Sequence, residues 1–308
     1  MAHVFVTRRL PGNAVERLAA EHDIEVWRGD MPPPREDLLA GVADAEGLLS
    51  LLVDQVDAEL IDAAPKLRAV ANYAIGFDNI DVDAATARSI QVGNTPDVLT
   101  DATADLAWAL MLAVARRVVE AHRDAVDGRW RTWEPQGWVG VDVHGATLAV
   151  IGAGRIGQAV AKRAGGFEMD VVMVDLGDDL HAALERADFV SVHTPLTPET
   201  HHLIDADALA RMKPTAILVN TARGPIVDQD ALAAALREGR LAGAGLDVTD
   251  PEPLPPDHAL YETPNLLVVP HIGSATTTAR AAMADRAVDN LLAALDGKPM
   301  PYAVQPPA

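Results

Sequence analysis

The sequence predicts an α/β protein made of two doubly wound, parallel-sheet domains. Its 308 residues suffice for two domains, because one domain takes roughly 150 residues. Short apolar runs alternate with helical stretches through the N-terminal third, and a second alternating block begins at Thr147. This alternation is typical of parallel sheets that carry helices on both faces.

The first block contains apolar runs of strand length with helical spacing between them. The predicted strands are 4–7, 24–27, 47–52 and 67–72. The predicted helices are 11–20, which opens with a proline, and 57–65, which ends at one. Together these elements indicate the first sheet.

A long apolar segment, 102–123, predicts a single helix that Thr100 or Asp101 can cap. It is apolar on nearly every side at its start, as in a helix buried between layers. Residues 127–145 combine glycines, a proline and three of the five tryptophans. This composition indicates an arm at a domain boundary.

The second block predicts further strands and ends in a proline-rich tail. The strands are 147–151, 170–175, 187–193, 215–220, 243–248 and 265–270. Helices are predicted from Arg155, over 228–239 and over 276–295, and the tail from Lys298 is predicted to be extended.

The chain has 45 acidic and 25 basic residues, a net charge of −20. Such a surface repels phosphate backbones and argues against a nucleic-acid partner. The absence of cysteine excludes zinc–thiolate sites, iron–sulfur clusters and a cysteine nucleophile. The longest apolar run, 106–115, is about half as long as a membrane helix. Since no targeting segment is recognisable, we expect a cytoplasmic protein without a membrane partner.

A glycine-rich loop follows the first strand of the second block. Gly152, Gly154 and Gly157 have the G-x-G-x-x-G spacing between strand 147–151 and the helix from Arg155. In this setting the glycines are typical of a dinucleotide site, where they permit a tight turn, the approach of a pyrophosphate and close helix packing. The amides at the helix start and the Arg155 guanidinium would hold the phosphates.

Asp175 ends the next strand and predicts the choice of cofactor. Its carboxylate can accept hydrogen bonds from the adenosine ribose hydroxyls and would repel a 2′-phosphate. We therefore expect NAD(H) to be preferred over NADP(H). Ala187 follows only twelve positions after Asp175, which leaves room for one short helix and predicts an open adenosine side.

Three polar residues follow later strands and indicate a catalytic site. Arg223 can bind a carboxylate in a bidentate manner. His271 suits the transfer of a proton near neutral pH, and Glu252 can stabilise its imidazolium form. A local cation such as Arg223 is what an anionic substrate would need within an acidic surface.

Other polar pairs favour ordinary structural roles. His201 and His202 are adjacent, and adjacent histidines seldom share a metal, so we expect no metal site. Asp78 and Asp81 are expected to cap a turn and a helix start rather than to form a catalytic pair.

A series of segments in a fixed order covers nearly the whole chain: 71–81, 94–117, 151–164, 193–200, 218–232, 245–253 and 270–276. This series resembles the D-isomer-specific 2-hydroxyacid dehydrogenases, and among them most closely the glyoxylate/hydroxypyruvate reductases. The resemblance implies a Rossmann cofactor domain, 100–285, inserted into a discontinuous flavodoxin-like substrate domain, 1–99 plus 286–308, with the active site in the cleft. It also implies a homodimer joined through the cofactor domains.

The resemblance assigns roles to individual residues. It implies catalysis by Arg223, Glu252 and His271. It also implies that His271, Arg223 and the loop at Ile75 and Gly76 bind the substrate. The residues it places at the cofactor are Thr103, Gly152, Gly154, Arg155, Ile156, Gly157, Asp175, His193, Pro195, Thr221, Ala222, Asp247 and Gly273.

Two further features concern the arm and the segment that carries Glu252. The arm at 127–145 fits the dimer interface of the family, and its Trp138 corresponds to a tryptophan that reaches the partner's active site. Thr249 stands where the family usually has an aromatic residue, so the support behind Glu252 is expected to differ.

The expected function is NAD(H)-dependent reduction of a small 2-keto acid, glyoxylate or hydroxypyruvate, to the D-2-hydroxy acid. The same chemistry on another acid, such as phosphoglycerate or D-lactate, is an alternative. A second alternative is a regulatory protein of this fold that senses NAD without turnover.

Overall fold

The computed structural model describes residues 1–304 and divides the chain into two compact units. The first unit consists of Met1–Leu99 and Ala275–Ala308, and the second of Thr100–Ser274. The helix Thr277–Leu295 lies wholly in the first unit, whereas the boundary expected at 286 would divide it. Residues 305–308, the end of the predicted tail and substrate domain, lie outside the described residues.

The strands confirm the runs predicted from the sequence, with ends that differ by at most two residues, and add one short strand at 91–93. In chain order they are β1 (His3–Val6), β2 (Asp23–Val26), β3 (Gly47–Ser50), β4 (Ala69–Asn72), β5 (Gln91–Gly93), β6 (Thr147–Ile151), β7 (Asp170–Val174), β8 (Phe189–Val192), β9 (Ile217–Asn220), β10 (Gly243–Leu246) and β11 (Leu266–Val268).

The helices alternate with these strands. They are α1 (Ala14–Glu21), α2 (Arg35–Val42), α3 (Ala58–Ala63), α4 (Val82–Ala87), α5 (Thr100–Ala115), α6 (Val118–Val126), α7 (Arg155–Ala164), α8 (Leu180–Arg186), α9 (Ala206–Arg211), α10 (Gln229–Arg237) and α11 (Thr277–Leu295). No helix within residues 1–304 has the length and apolarity needed to cross a membrane.

The first unit is a parallel sheet with the strand order β2-β1-β3-β4-β5. This is the flavodoxin-like order, as predicted. Its core includes fully buried apolar side chains such as Phe5, Leu48, Leu60 and Val70. The tail pairs with β5 through Ala303 and Val304. Residues 301–302 before them form a turn, so the tail predicted to be extended from Lys298 pairs as a strand only at 303–304.

The second unit is a parallel sheet with the order β11-β10-β9-β8-β6-β7. The order of strand addition reverses at β6, because β7 pairs on one side of β6 and β8 pairs on the other. Such a switch point leaves a crevice at the carboxyl ends of the strands, where open α/β sheets bind ligands. The predicted short connection after Asp175 is confirmed, because α8 alone fills it and β7 remains at the edge of the sheet.

The helix predicted over 102–123 is wrong as a single element. It begins at Thr100, ends at Ala115 and restarts as α6 after Arg117, whose φ of 52° is left-handed. The Val141 amide donates to the Ala115 carbonyl at 2.9 Å, and the Gly140 backbone packs against that carbonyl. The returning arm thus takes the acceptor that a continuing helix would need. This tertiary contact has no signal in the local sequence.

Several of the acidic residues cap the N-termini of helices. Asp57, Asp81, Asp179, Asp205 and Asp228 each accept the backbone amide three residues further on. Each such cap stabilises a helix by about 1 kcal/mol. The predicted capping role of Asp81 is thereby confirmed.

Candidate active site

Most of the residues predicted to form the site follow strands of the second sheet at one edge. The glycine loop follows β6, Asp175 follows β7 and His193 follows β8. Arg223, Glu252 and His271 come after β9, β10 and β11 respectively. Because these last three strands are neighbours in the sheet, the three expected catalytic residues belong to adjacent strand ends.

The glycine loop has the close backbone approaches that its spacing predicts. Gly152 has a φ of +101°, and a Cβ built on it would lie 2.7 Å from the Thr194 amide nitrogen. A Cβ at Gly157 would run into the Gly152 carbonyl oxygen. A Cβ at Gly154 would meet no atom of residues 1–304 within 4 Å. The space above the start of α7 is therefore open, as a pyrophosphate requires.

Arg155 and Ile156 are the first two residues of α7, after the N-cap Gly154. Arg155 is exposed and Ile156 is half-buried. Their amides lie at the positive end of the helix dipole, where an anion is stabilised. The structure therefore offers the amides and the cation expected of a phosphate-binding loop.

Asp175 is exposed immediately after β7. Its Oδ1 accepts the Leu176 amide at 3.0 Å, and its own amide donates to Oδ2 of Asp178 at 2.8 Å. The short turn thus carries the Asp178 carboxylate beside that of Asp175. Sequence reasoning missed Asp178, although its signal was the acidic run that follows the strand.

His193 is tied to two hydroxyl groups after β8. The Ser191 hydroxyl oxygen lies 2.7 Å from its Nε2, and the Thr221 hydroxyl oxygen lies 3.4 Å from its Nδ1. Burial lowers the pKa of His193 to about 4, so the imidazole is neutral at pH 7. Pro195 is exposed on the same loop, and its carbonyl accepts the Thr200 hydroxyl at 2.7 Å.

Asp247 binds the turn that contains Gly273, and Gly273 lies beside Thr103. Its buried carboxylate accepts the amides of Ile272 at 2.6 Å and of Gly273 at 2.8 Å. A Cβ built on Gly273 would lie 3.0 Å from Oδ2 of Asp247 and 3.4 Å from Oγ1 of Thr103. Burial raises the pKa of Asp247, against the opposing effect of these amides and the imidazole of His271.

His271 and Glu252 form the closest polar pair of the site. Nδ1 of His271 lies 2.5 Å from Oε1 of Glu252, and the two side chains are 25% and 29% exposed. The backbone of His271 is left-handed, with a φ of 50°, a conformation that costs about 1 kcal/mol or more in a non-glycine residue. Its amide donates to the Asp247 carbonyl at 2.9 Å, so the same aspartate holds this turn at both ends.

The turn with Arg223 is held by the last residue of β9. Oδ1 of Asn220 accepts the Ala222 amide at 3.0 Å, and its Nδ2 donates to the Arg223 carbonyl at 2.8 Å. Thr221 is buried, whereas Ala222 and Arg223 are half-buried. Sequence reasoning missed Asn220, whose signal is a polar residue at the end of an apolar strand.

Ile75 and Gly76 lie on the loop after β4 in the first unit and are partly exposed. Nδ2 of Asn94 donates to the Ile75 carbonyl at 2.7 Å, and Nδ2 of Asn72 donates to the Gly76 carbonyl at 2.9 Å. In the described part of the first unit, neither the Ile75 amide nor the Gly76 amide donates to a backbone carbonyl. The loop therefore has fixed carbonyls and two amides that can receive an anion.

The arm at 127–145 is an irregular segment, as predicted. Trp130 and Trp133 are 66% and 80% exposed. Trp138 is half-buried, and its indole nitrogen donates to Oδ2 of Asp124 at 2.9 Å. The tryptophan expected to reach a partner is thus bonded within its own chain.

The histidine pair His201 and His202 is stacked, with ring centroids 4.1 Å apart. Within residues 1–304, no three histidine or acidic side chains are arranged to hold a metal ion.

Comparison with known proteins gives one family. Residues 108–273 match the model of the D-isomer specific 2-hydroxyacid dehydrogenase, NAD binding domain. A glyoxylate reductase of Korarchaeum cryptofilum is 48% identical over 98% of this chain and 95% of its own length. A glyoxylate reductase of Thermococcus kodakarensis is 47% identical with the same two coverages.

Solved structures agree with the fold. A protein from Thermus thermophilus superposes with a TM-score of 0.94 at 51% identity, over 98% of this chain and all of that one. An NADPH-dependent glyoxylate/hydroxypyruvate reductase from Sinorhizobium meliloti, in complex with NADP and malonate, has a TM-score of 0.87 at 33% identity. It covers 98% of this chain and 96% of its own.

Proposed function

This chain belongs to the D-isomer specific 2-hydroxyacid dehydrogenases, and from that premise we propose that it reduces glyoxylate or hydroxypyruvate to the D-2-hydroxy acid with NADH. The observation that carries the proposal is the contact of 2.5 Å between Nδ1 of His271 and Oε1 of Glu252. This contact fixes the imidazole of His271 as a proton donor in the turn after β11, which Asp247 holds.

His271 is the proposed acid. Glu252 accepts a hydrogen bond from Nδ1–H, which orients the imidazole and leaves Nε2 to give its proton to the substrate oxygen. The left-handed backbone of His271 supports this role, because strained residues that the surroundings over-determine are concentrated at functional sites.

Arg223 and the amides of Ile75 and Gly76 are proposed to bind the substrate carboxylate. A guanidinium binds a carboxylate in a bidentate manner and polarises a neighbouring carbonyl. The two amides of the first unit favour an anion in their own right, because their loop is held by fixed carbonyls and loses little entropy on binding. A local cation such as Arg223 suits a small anionic substrate within a protein of net charge −20.

The residues of the second unit fit a nicotinamide dinucleotide. The open space at Gly154, the close contacts of Gly152 and Gly157, and the start of α7 with Arg155 and Ile156 would hold the pyrophosphate. The residues proposed to surround the rest of the cofactor are Thr103, Asp175, His193, Pro195, Thr221, Ala222, Asp247 and Gly273. When bound, the nicotinamide supplies the hydride.

NADH is the proposed partner of choice. The carboxylates of Asp175 and Asp178 lie in one short turn after β7, and both would repel a 2′-phosphate. The Sinorhizobium meliloti relative is NADPH-dependent by its name, so the preference is a property in which this chain is proposed to differ from that protein.

A homodimer is proposed through the arm and α6. Trp130, Trp133 and Val126 are more than 60% exposed there, and exposed aromatic residues are enriched at interfaces. Light scattering during size-exclusion chromatography would give twice the mass of one chain. Arginine in place of both Trp130 and Trp133 is expected to halve that mass.

The test of the function is the oxidation of NADH by purified protein with glyoxylate, hydroxypyruvate, pyruvate, 3-phosphohydroxypyruvate and a bulky 2-keto acid. NADPH is compared in parallel. Fast turnover with the two smallest acids supports the proposal, and faster turnover with another acid moves the assignment to that substrate. Tight NADH binding without turnover of any acid would favour a sensor of the nucleotide.

A further inference from the structure

The segment that carries Glu252 has little regular structure to fix it. Residues 249–253 follow β10 outside any helix or strand, and Asp250, Pro251, Glu252 and Pro253 are exposed. An exposed segment of this kind needs specific contacts to hold a side chain at a hydrogen-bonding distance. The contact of Glu252 with His271 therefore depends on other contacts that fix this segment.

Gln229 supplies a contact from outside the segment. The Asp250 amide donates to Oε1 of Gln229 at 2.9 Å, and Nε2 of Gln229 donates to the Asp250 carbonyl. One side-chain amide thus pairs with both polar groups of one backbone residue, as a neighbouring strand would. Only a carboxamide carries a donor and an acceptor side by side for this purpose, so glutamate could make just one of the two bonds.

Gln229 is itself held in a fixed position. It is the first residue of α10, whose N-cap Asp228 accepts the Ala231 amide at 3.0 Å. The Asp228 amide donates to the Ile204 carbonyl at 3.1 Å. The side chain that grips Asp250 therefore extends from a capped helix start anchored to the second unit.

Two neighbouring contacts support the same segment. The Thr249 hydroxyl donates to the Pro251 carbonyl at 2.9 Å. The backbone of Gly224 packs directly on the Thr249 carbonyl, where a Cβ would overlap it. The turn after Arg223 and the segment of Glu252 are thus in backbone contact, and Gln229 follows that turn by only a few residues.

We propose that Gln229 is a positioning residue that holds Glu252 against His271 through the backbone of Asp250. The consequence for the reaction rests on the function proposed above, whereas the consequence for the Glu252–His271 contact does not. Gln229 acts on the proton donor through the backbone of Asp250, and it is not among the residues proposed to bind the substrate. Its loss is therefore expected to lower kcat about tenfold and to change KM for the keto acid by less than about twofold.

The test compares the wild-type chain with Gln229→Met, which keeps the length of the side chain and removes both hydrogen bonds. Asp230→Asn is the matched control, because Asp230 is the next residue of the same helix turn and is exposed. The first readout is the far-downfield proton resonance of the imidazole hydrogen bond, assigned by its absence from His271→Gln. It is expected in the wild type and in Asp230→Asn and lost from Gln229→Met, while all three unfold at similar temperatures.

The second readout is a double-mutant cycle with Glu252→Gln. Once Glu252 is replaced, Gln229→Met is expected to change kcat by less than about twofold. A resonance that persists in Gln229→Met, or losses in kcat that multiply in the double variant, would overturn the positioning role. If the wild type reduces no keto acid, the proposed function fails, while the resonance still decides whether Gln229 holds the pair.

Discussion

The carboxylate of Asp247 accepts the amide of Gly273 at 2.8 Å, while its backbone carbonyl accepts the amide of His271. One buried residue at the end of β10 thus determines the turn after β11 that presents the imidazole. The resemblance places Asp247 at the nicotinamide, and these bonds give it a structural task as well.

Replacing Asp247 by asparagine is expected to weaken this turn, because the side-chain amide presents a donor to one of the two backbone amides. A buried donor without a partner costs about 1 to 3 kcal/mol. Urea denaturation of Asp247→Asn measures the loss in the free energy of unfolding. Asp228→Asn is a control, because asparagine caps a helix about as well as aspartate, and a loss of equal size there would contradict the expectation.

Replacing His271 by glutamine is expected to lower kcat for keto-acid reduction by about 100-fold or more, since the proton donor is removed. The affinity for NADH, measured by its fluorescence, should stay within about threefold, because the glycine loop is untouched. Retained turnover would show that another group gives the proton.

Replacing Asp175 by alanine is expected to lower the ratio of kcat/KM with NADH to that with NADPH by roughly tenfold, the effect of 1.4 kcal/mol. The carboxylate no longer repels a 2′-phosphate in that variant. Asp170→Ala is a matched control, because Asp170 is an exposed aspartate at the other end of β7. Equal ratios in the two variants would refute the role of Asp175.

Acid is expected to destabilise the protein through His193. Because the pKa of His193 falls to about 4 on folding, the unfolded chain takes up a proton that the folded chain does not. Its contribution is complete above pH 6.5, the pKa it would have unfolded, and is lost as the pH falls towards 4. The loss amounts to about 1 to 3 kcal/mol.

The measurement is the free energy of unfolding of the wild type, His193→Gln and His144→Gln between pH 7 and 4. His193→Gln should show a flatter dependence, whereas His144→Gln, with a side chain that is 72% exposed, should follow the wild type. Parallel curves for all three proteins would place the acid sensitivity in other groups.

Replacing Asn94 by alanine is expected to raise KM for the keto acid about fivefold, since one hydrogen bond that fixes the Ile75 carbonyl is lost. The value of kcat and the affinity for NADH should change little. A loss of NADH affinity as large as the change in KM would mean that the substitution disturbs more than the loop at Ile75 and Gly76.

The strands and the glycine loop could be predicted because their signals are local. The run 147–151 and the spacing of Gly152, Gly154 and Gly157 lie within one strand, turn and helix. The short connection after Asp175 was likewise visible as a count of residues, and its consequence, β7 at the sheet edge, follows from that count.

The sequence did not reveal features that depend on distant segments. The break at Arg117 depends on Val141, which binds the Ala115 carbonyl from the returning arm. The contact of Gln229 with Asp250 joins a helix start to a segment 21 residues away. The cytoplasmic location, the homodimer and the preference for NADH remain predictions.

The helix α11 completes a sheet whose strands were made some two hundred residues earlier. Its Leu291 and Leu295 lie beside Gly47 of β3, where a Cβ would be 3.5 and 3.4 Å away, and Asn290 donates to the Asn94 carbonyl at 3.0 Å. During synthesis on the ribosome part of one face of this sheet, beside α1, therefore stays uncovered until α11 has been made. The second unit, continuous in sequence, can be complete by then. The residues that are synthesised first thus complete their fold last. A nascent chain halted before α11 would expose the apolar surface that α11 covers, and such exposed surface promotes aggregation and chaperone binding.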